Sequence, residues 1–459
     1  MYLLPVDRPS NLPPRVVPPA YPLGRVRFAA TFVRNPLAAI PQAVYEEDIV
    51  PLGNGRRTLW ITSPALVRTV LLDEREKYRK LTQIRLLSPL LGKGILTSDG
   101  ADWRWQRQAT APMFRTTGLG SFVPAFVRAA ENTLARWRSG AADSVRAVDE
   151  DMTRLTFEVI CSTLLPSSDA DFEARLQQNL QALQRHAGWD ILFATMKLPA
   201  WMPRPGGAGK PRAIATLRGM VMGLLQARHA AVREGRVPDD LLQRLIAARD
   251  PETGAAMDDD QLVDNLLTFY LAGHETTAKA LMWALFLVAR HPEWAERVRE
   301  EVDRVAGAAP IAAQHLDQLV LTEQVVKEAI RLYPPAPMMG RQSVAEGELG
   351  GRRIVPGMNI QIPIYVIHRH VRRWDAPDAF DPERFAPGRE KEIPRYQYMP
   401  FGAGPRVCIG MTFALMEAKT ILATLVRGAK FFPAAGPGPA PVARITLVPK
   451  GGMPLRVLV

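Results

Sequence analysis

Residues Leu262 to Arg290 carry one unbroken helical pattern of about 29 residues, roughly 43 Å at 1.5 Å per residue. Both halves are strongly apolar. Leu266, Leu267, Phe269, Tyr270 and Leu271 precede the centre, and Leu281, Met282, Trp283, Leu285, Phe286, Leu287 and Val288 follow it. The centre itself reads Gly273-His274-Glu275-Thr276-Thr277-Ala278-Lys279. That waist is too polar for hydrocarbon, so a membrane span fails and a helix buried in protein remains. Polar groups buried in such a helix cost stability unless they are satisfied or used. Back-bonding of the hydroxyls onto the preceding turn is the purely structural account of Thr276 and Thr277.

A second stretch limits the chemistry. Phe401-Gly402-Ala403-Gly404-Pro405-Arg406-Val407-Cys408-Ile409-Gly410 is a glycine-rich loop that delivers one cysteine and runs straight into a helical pattern from Thr412 to Lys419. Gly402 and Gly404 let the backbone turn tightly and approach closely. Unpaired N–H groups and the positive end of the following helix are expected to lower the pKa of the Cys408 thiol. A cysteine thiolate is one of the few protein ligands of haem iron. Taken alone, Cys408 also fits a reactive or structural thiol. The loop resembles the haem-binding signature of the cytochrome P450 family, Phe-x-x-Gly-x-Arg-x-Cys-x-Gly, at every fixed position.

Four further motifs of that family stand in matching order along the chain. Trp103 and Arg107 are similar to its Trp-x-x-x-Arg helix, where both side chains reach a haem propionate; an indole N–H and a guanidinium are both donors, as a carboxylate requires. Ala272-Gly273-His274-Glu275-Thr276-Thr277 resembles its oxygen-activation motif. There the resemblance implies that Ala272 and Gly273 leave room for dioxygen, Thr276 donates a hydrogen bond towards it, and Glu275 relays protons from solvent. Glu328-Ala329-Ile330-Arg331 matches Glu-x-x-Arg, and Pro382-Glu383-Arg384-Phe385 matches the Pro-Glu-Arg-Phe segment. The resemblance implies a buried network of Glu328, Arg331 and Arg384; without it, Glu328 and Arg331 read as a surface i,i+3 pair worth about 0.2–0.5 kcal/mol. Arg406 matches a further propionate contact, and Arg341 is a candidate third cation. The resemblance implies that Phe401 and Gly402 complete the haem cradle.

The fold so implied is mainly α with a minor β-region, a helical prism enclosing a haem, with a proline-rich segment over 1–24 and a single haem domain over 25–459. The local patterns agree in kind. Helices are expected at Val123–Trp137, Arg175–His186, Ile214–Arg233 and Glu293–Ala306, and strands at Arg57–Thr62 after a Gly53-Asn54-Gly55 turn, at Asn359–Ile367, and as a late pair at Arg444–Val448 and Leu455–Val459. Residues Leu81–Ser98, Gly188–Arg212 and Arg372–Gln397 read as irregular zones. By resemblance, the first two cover the substrate chamber and the third lies on the cysteine side of the haem.

Composition excludes several alternatives. The chain has 459 residues and only two cysteines, Cys161 and Cys408, which rules out a disulfide framework and argues against structural zinc. Cys161 sits in an apolar helical pattern and reads as a buried, inert thiol. The formal charge of +12 suits nucleic acid, a membrane surface or an acidic protein, but no run of five basic residues and no nucleic-acid motif accompanies it. The local cluster Arg369, His370, Arg372 and Arg373 reads either as solvated surface or, by resemblance, as a docking face for an acidic electron-transfer protein. Seven prolines fall within the first 22 residues, with no secretory signal or membrane anchor among them, so the chain resembles the soluble bacterial members and a cytoplasmic monomer is expected.

The function implied is monooxygenation with haem b, dioxygen, and electrons that originate in NAD(P)H and arrive through a separate ferredoxin or flavodoxin-type donor and its reductase. Pocket candidates are Leu86, Leu87, Leu90, Phe193, Phe269, Tyr270, Ala272, Met338 and Met339, chiefly apolar, which suggests a lipophilic small molecule. Alternative readings are a haem-thiolate isomerase, dehydratase or peroxide-driven enzyme, a non-enzymatic haem sensor, and a haem-free helical protein.

Overall fold

The computed structural model describes residues 12–459 apart from 53–56, 115, 164–171, 173–174, 177, 181–182, 184–186, 197, 200, 204, 208 and 238–239. The central helix runs Asp259–Arg290, 32 residues. It begins a turn earlier than its apolar pattern because the Asp258 carboxylate accepts from the Gln261 N–H at 2.7 Å, with Asp259 and Asp260 in the first turn complementing the helix dipole. Almost its whole length is buried, as a helix apolar on all sides demands.

Helices Val148–Thr163, Lys210–Arg233, Val320–Leu332 and Met411–Gly428 pack around it. A Cβ on Gly273 would stand 2.4 Å from Ile160 Cδ1, so glycine at the waist lets the Val148–Thr163 helix come close. At the same crossing the Thr156 hydroxyl donates to the His274 carbonyl at 2.9 Å. Towards the other end, Trp283 stacks on Tyr333 with ring centroids 3.8 Å apart.

The β-structure is small. A five-stranded sheet has the order Ile49–Leu52, Thr58–Ile61, Asn359–Ile362, Met339–Ser343, Tyr78–Arg79, antiparallel except where Thr58–Ile61 meets Asn359–Ile362. Its register sets Arg341 opposite Ile360 and Met339 opposite Ile362. Pro454–Leu458 lies between Asp143–Ala147 and Lys430–Pro433 in a second sheet. A hairpin pairs Ala440–Ala443 with Leu447–Lys450. The protein is thus mainly α with a minor β-region.

Several local expectations change. The expected late strand pair does not form, because Pro454–Leu458 finds its partners in distant segments, while Arg444 to Thr446 make the tip of the hairpin. Asn359–Ile367 is strand only to Ile362; Pro363 lacks the N–H that the ladder needs, and Ile364–Ile367 closes a helical turn. Two zones read as irregular contain helices, Leu81–Leu91 and Ala187–Met196. Pro89 sits within the last turn of the first, where its missing N–H removes the helical bond to the Arg85 carbonyl shortly before Gly92 ends the helix. The expected Gly53-Asn54-Gly55 turn lies outside the described residues, as do 177, 181–182 and 184–186 of the expected Arg175–His186 helix.

Candidate active site

The cysteine loop is built by its glycines. Gly402 and Gly404 both have φ +73°, and a Cβ on Gly404 would stand 2.4 Å from the Leu71 carbonyl oxygen. The Cys408 N–H donates to the Phe401 carbonyl at 2.9 Å, which closes the loop, and the helix Met411–Gly428 starts three residues on. The Cys408 side chain is exposed, and what it is exposed to is a chamber of about 1270 Å³. Burial pushes its thiol pKa up, and the Gly410 N–H and the Arg107 charge only partly oppose this. The expected lowering by loop and helix is therefore outweighed by desolvation.

The central helix forms another wall of the chamber with Phe269, Ala272, Gly273, Glu275, Thr276, Thr277 and Ala280. Phe269, Ala272 and Thr276 follow the i, i+3, i+7 spacing of one helix face. Tyr270, one residue off that face, is fully buried and stacks on Phe157 with centroids 6.2 Å apart, so it is not a pocket residue. Leu86, Leu87, Met338 and Met339 line the chamber as expected. Leu90 packs into the hydrophobic core instead. Phe193 is buried off the chamber, while its neighbours Leu192, Ala194 and Thr195 line it. Phe28, Phe32, Ile160 and Ile445 are lining residues that no local pattern indicated.

The Thr276 hydroxyl donates to the Ala272 carbonyl at 2.7 Å. Its proton is thus committed to the preceding turn, and its oxygen presents lone pairs rather than a donor to the chamber. Glu275 is buried, and its Oε1 accepts from the Thr446 hydroxyl at 2.6 Å. His274, between Gly273 and Glu275, is buried with Nδ1 at the Tyr270 carbonyl, and burial lowers its pKa. It is a packed, neutral histidine.

Cations gather at one edge of the chamber. Arg107 Nη1 donates to the Val407 carbonyl at 2.8 Å. Arg406 Nη1 donates to the Ser98 carbonyl at 3.0 Å, its other nitrogen pairs with Asp99, and its guanidinium lies over the Trp103 ring at 4.2 Å. Trp103 therefore supports Arg406 and is not itself a lining residue among those described. Arg341 bonds the Gly340 carbonyl at 2.8 Å, and burial with the Arg406 charge pushes its pKa down to about 10. Lys80, absent from the motif reading, lines the chamber and donates to the Leu96 carbonyl at 2.7 Å. Burial, Arg406 and Arg341 push its pKa down to about 7. Asp99 is the carboxylate that offsets both shifts. A group of cations at the chamber edge, Lys80 buried and Arg107, Arg341 and Arg406 half-buried, with so little counter-charge suits a ligand that brings carboxylates of its own.

Beneath the loop lies the clamp. Glu328 and Arg331 are fully buried. Arg331 Nε and Nη2 donate to Glu328 at 2.6 and 2.7 Å, and its remaining donors reach the carbonyls of His368, Pro377 and Ala379 at 2.7 to 2.9 Å. All five guanidinium donors are used. Glu328 Oε1 also accepts from the Asp381 N–H at 3.0 Å and faces Arg384 Nε at 3.5 Å. The surface-pair account of Glu328 and Arg331 does not hold.

The profile of the family described as Cytochrome P450 matches residues 49–452. The chain belongs to the cytochrome P450 family. It is 32% identical over 444 residues to cyclooctatin synthase of Streptomyces melanosporofaciens, covering 96% of this chain and 95% of that one. Cyclooctat-9-en-7-ol 5-monooxygenase of the same organism is 32% identical over 406 residues, 88% and 86% of the two chains. A cytokinin hydroxylase of Arabidopsis thaliana is 32% identical over 409 residues, 86% and 78%. The protein is thus a P450 monooxygenase. Among the described residues of this P450, no helix is long and apolar enough to cross a membrane.

The basic cluster of the P450 is not an open face. Arg369 and His370 are buried and Arg373 pairs with Asp48, which leaves Arg372 as the fully exposed member.

Proposed function

We propose that this P450 binds haem b through the Cys408 sulfur and oxygenates a lipophilic small molecule in the chamber above it. One observation carries the reading: Cys408 opens into the same chamber that the Ala272–Thr277 waist lines. Arg107, Arg341 and Arg406 would hold the haem carboxylates, with Trp103 fixing Arg406, and Phe401 and Gly402 would cradle the ring. Cys408 would meet the iron as a thiolate, although desolvation raises the pKa of the free thiol. When bound, the haem supplies the activation of dioxygen, with the thiolate pushing electron density that favours O–O cleavage.

The chain's own residues handle guest and protons. Ala272 keeps the helix wall shallow. Glu275 carries protons to the waist, and Thr276 accepts hydrogen bonds there and donates one once its hydroxyl turns from the Ala272 carbonyl. This acid–alcohol pair supports proton delivery over an isomerase or a sensor, which has no use for it. Leu86, Leu87, Phe269, Met338 and Met339 give the chamber an apolar, adaptable lining that suits a terpenoid, steroid or fatty acid. The relatives named cyclooctatin synthase and cyclooctat-9-en-7-ol 5-monooxygenase favour an apolar alkenol among such guests. Electrons come from NAD(P)H through a separate ferredoxin or flavodoxin-type protein, in the cytoplasm, to a single haem domain over 25–459.

The test is the absorption spectrum of the reduced protein under carbon monoxide. The strongly red-shifted band of a thiolate-bound haem is expected, and its loss in Cys408→Ser. Colourless protein, or a band that survives in Cys408→Ser, would falsify the assignment. A titration with geranylgeraniol, a steroid and lauric acid, read from the shift of the haem absorption band, then ranks the guests.

A further inference from the structure

We infer that Thr446 is a positioning residue for Glu275, holding its carboxylate at the chamber wall; this rests on the proton-carrying role of Glu275 proposed above. The two residues are 171 apart in sequence, yet Thr446 Oγ1 donates to Glu275 Oε1 at 2.6 Å with both side chains buried. Both line the chamber.

The hydroxyl is delivered by a fixed turn. Arg444 N–H donates to the Thr446 carbonyl at 2.8 Å, Leu447 N–H donates to the Pro335 carbonyl at 3.0 Å, and the Arg444 guanidinium donates to the Arg34 carbonyl at 2.7 Å. The first bond closes the hairpin tip on itself, and the other two tie it to two separate parts of the chain. A competing attraction acts on Glu275 from its own helix. Lys279, one turn on, feels the charges of Glu275 and of Asp149 on the neighbouring helix, and it is not among the chamber-lining residues. His274 also feels Glu275 but is neutral in its buried site. A neutral donor at the chamber wall and a cation away from it thus make rival claims on one carboxylate. The Thr446 hydroxyl weights the balance to the chamber wall, and its loss shifts the carboxylate towards Lys279 and away from Thr276. Charge-assisted hydrogen bonds of this kind are among the stronger ones a protein makes.

Thr446→Val keeps the side-chain shape and removes the donor. With a surrogate ferredoxin, its reductase and the best guest of the titration above, this variant is expected to release about tenfold more hydrogen peroxide per reductant consumed, the scale of one lost hydrogen bond to a charged group. Its affinity for the guest, read from the haem spectrum, stays unchanged, and Thr446→Ser restores coupling. In a Glu275→Gln background, Thr446→Val adds no further leak. A second readout is independent of turnover: the urea midpoints of Thr446→Val, Glu275→Ala and the double variant are non-additive. An unchanged peroxide share, a leak that adds fully to that of Glu275→Gln, or weaker guest affinity alone overturns the inference. If the parent lacks the thiolate band, the haem reading fails on its own, and the urea cycle still decides the contact: additive midpoints sink it.

Discussion

His368 Nε2 accepts a hydrogen bond from the Met399 N–H at 3.0 Å, while its Nδ1 lies 3.1 Å from the Arg331 carbonyl. A carbonyl only accepts, so Nδ1 carries the proton and the ring is neutral. The imidazole therefore links the Glu328–Arg331 clamp to the backbone just before the cysteine loop, and it does so in one protonation state only.

This arrangement predicts acid sensitivity. Burial and the Arg331 charge push the His368 pKa from its ordinary value near 6.5 down to about 3. Between those values the unfolded chain binds a proton that the folded one refuses, so stability is full above about pH 6.5 and falls as pH drops towards 3. His370, lowered to about 4, adds to the same limb. The expected loss at pH 5 is on the order of a few kcal/mol, read from urea midpoints at pH 5 and 7.5. His368→Gln is expected to flatten the limb; an acid limb as steep as the parent's would remove His368 as its source.

Glu328→Ala strands a fully buried guanidinium. Removing one partner of such a pair costs about 3–5 kcal/mol. The variant is expected to yield little haem-loaded protein, judged by the ratio of haem to protein absorbance after purification. Normal loading would show that the carbonyls of His368, Pro377 and Ala379 suffice to hold Arg331.

The two loop glycines are expected to differ in severity. Both have φ +73°, so alanine at either costs about 1–2 kcal/mol from backbone conformation alone. Beyond that, a Cβ at position 402 meets only the Met339 methyl at 3.3 Å, which can move, whereas one at 404 meets the Leu71 carbonyl at 2.4 Å, which cannot. Gly404→Ala is expected to lose about 1–3 kcal/mol more than Gly402→Ala, seen in thermal melts of the two variants. Equal losses would mean that the Leu71 backbone yields.

Thr276→Ala removes a hydroxyl that donates to the Ala272 carbonyl at 2.7 Å. The fold should barely notice, since the backbone keeps its own helical bonds. Coupling should fall, with reductant still consumed and hydrogen peroxide released in place of product. Coupling equal to the parent's would leave Thr276 with the back-bond as its whole role.

What the sequence by itself determined was the local chemistry: the buried helix with a polar waist, the cysteine on its glycine loop, and the Glu328–Arg331 spacing. These are legible because helical periodicity and glycine's conformational freedom are properties of a few neighbouring residues. Tertiary structure alone decided that Thr446 would meet Glu275, that Lys80 would join Arg341 and Arg406, that His368 would bridge clamp and loop, and that Tyr270 and Phe193 would face away from the chamber. Such outcomes depend on which distant segments pack together and on the burial that follows. That is also why the Cys408 thiol, expected to be acidic from its local amides, is raised by its surroundings: desolvation is set by everything packed around a group, not by the residues beside it in the chain.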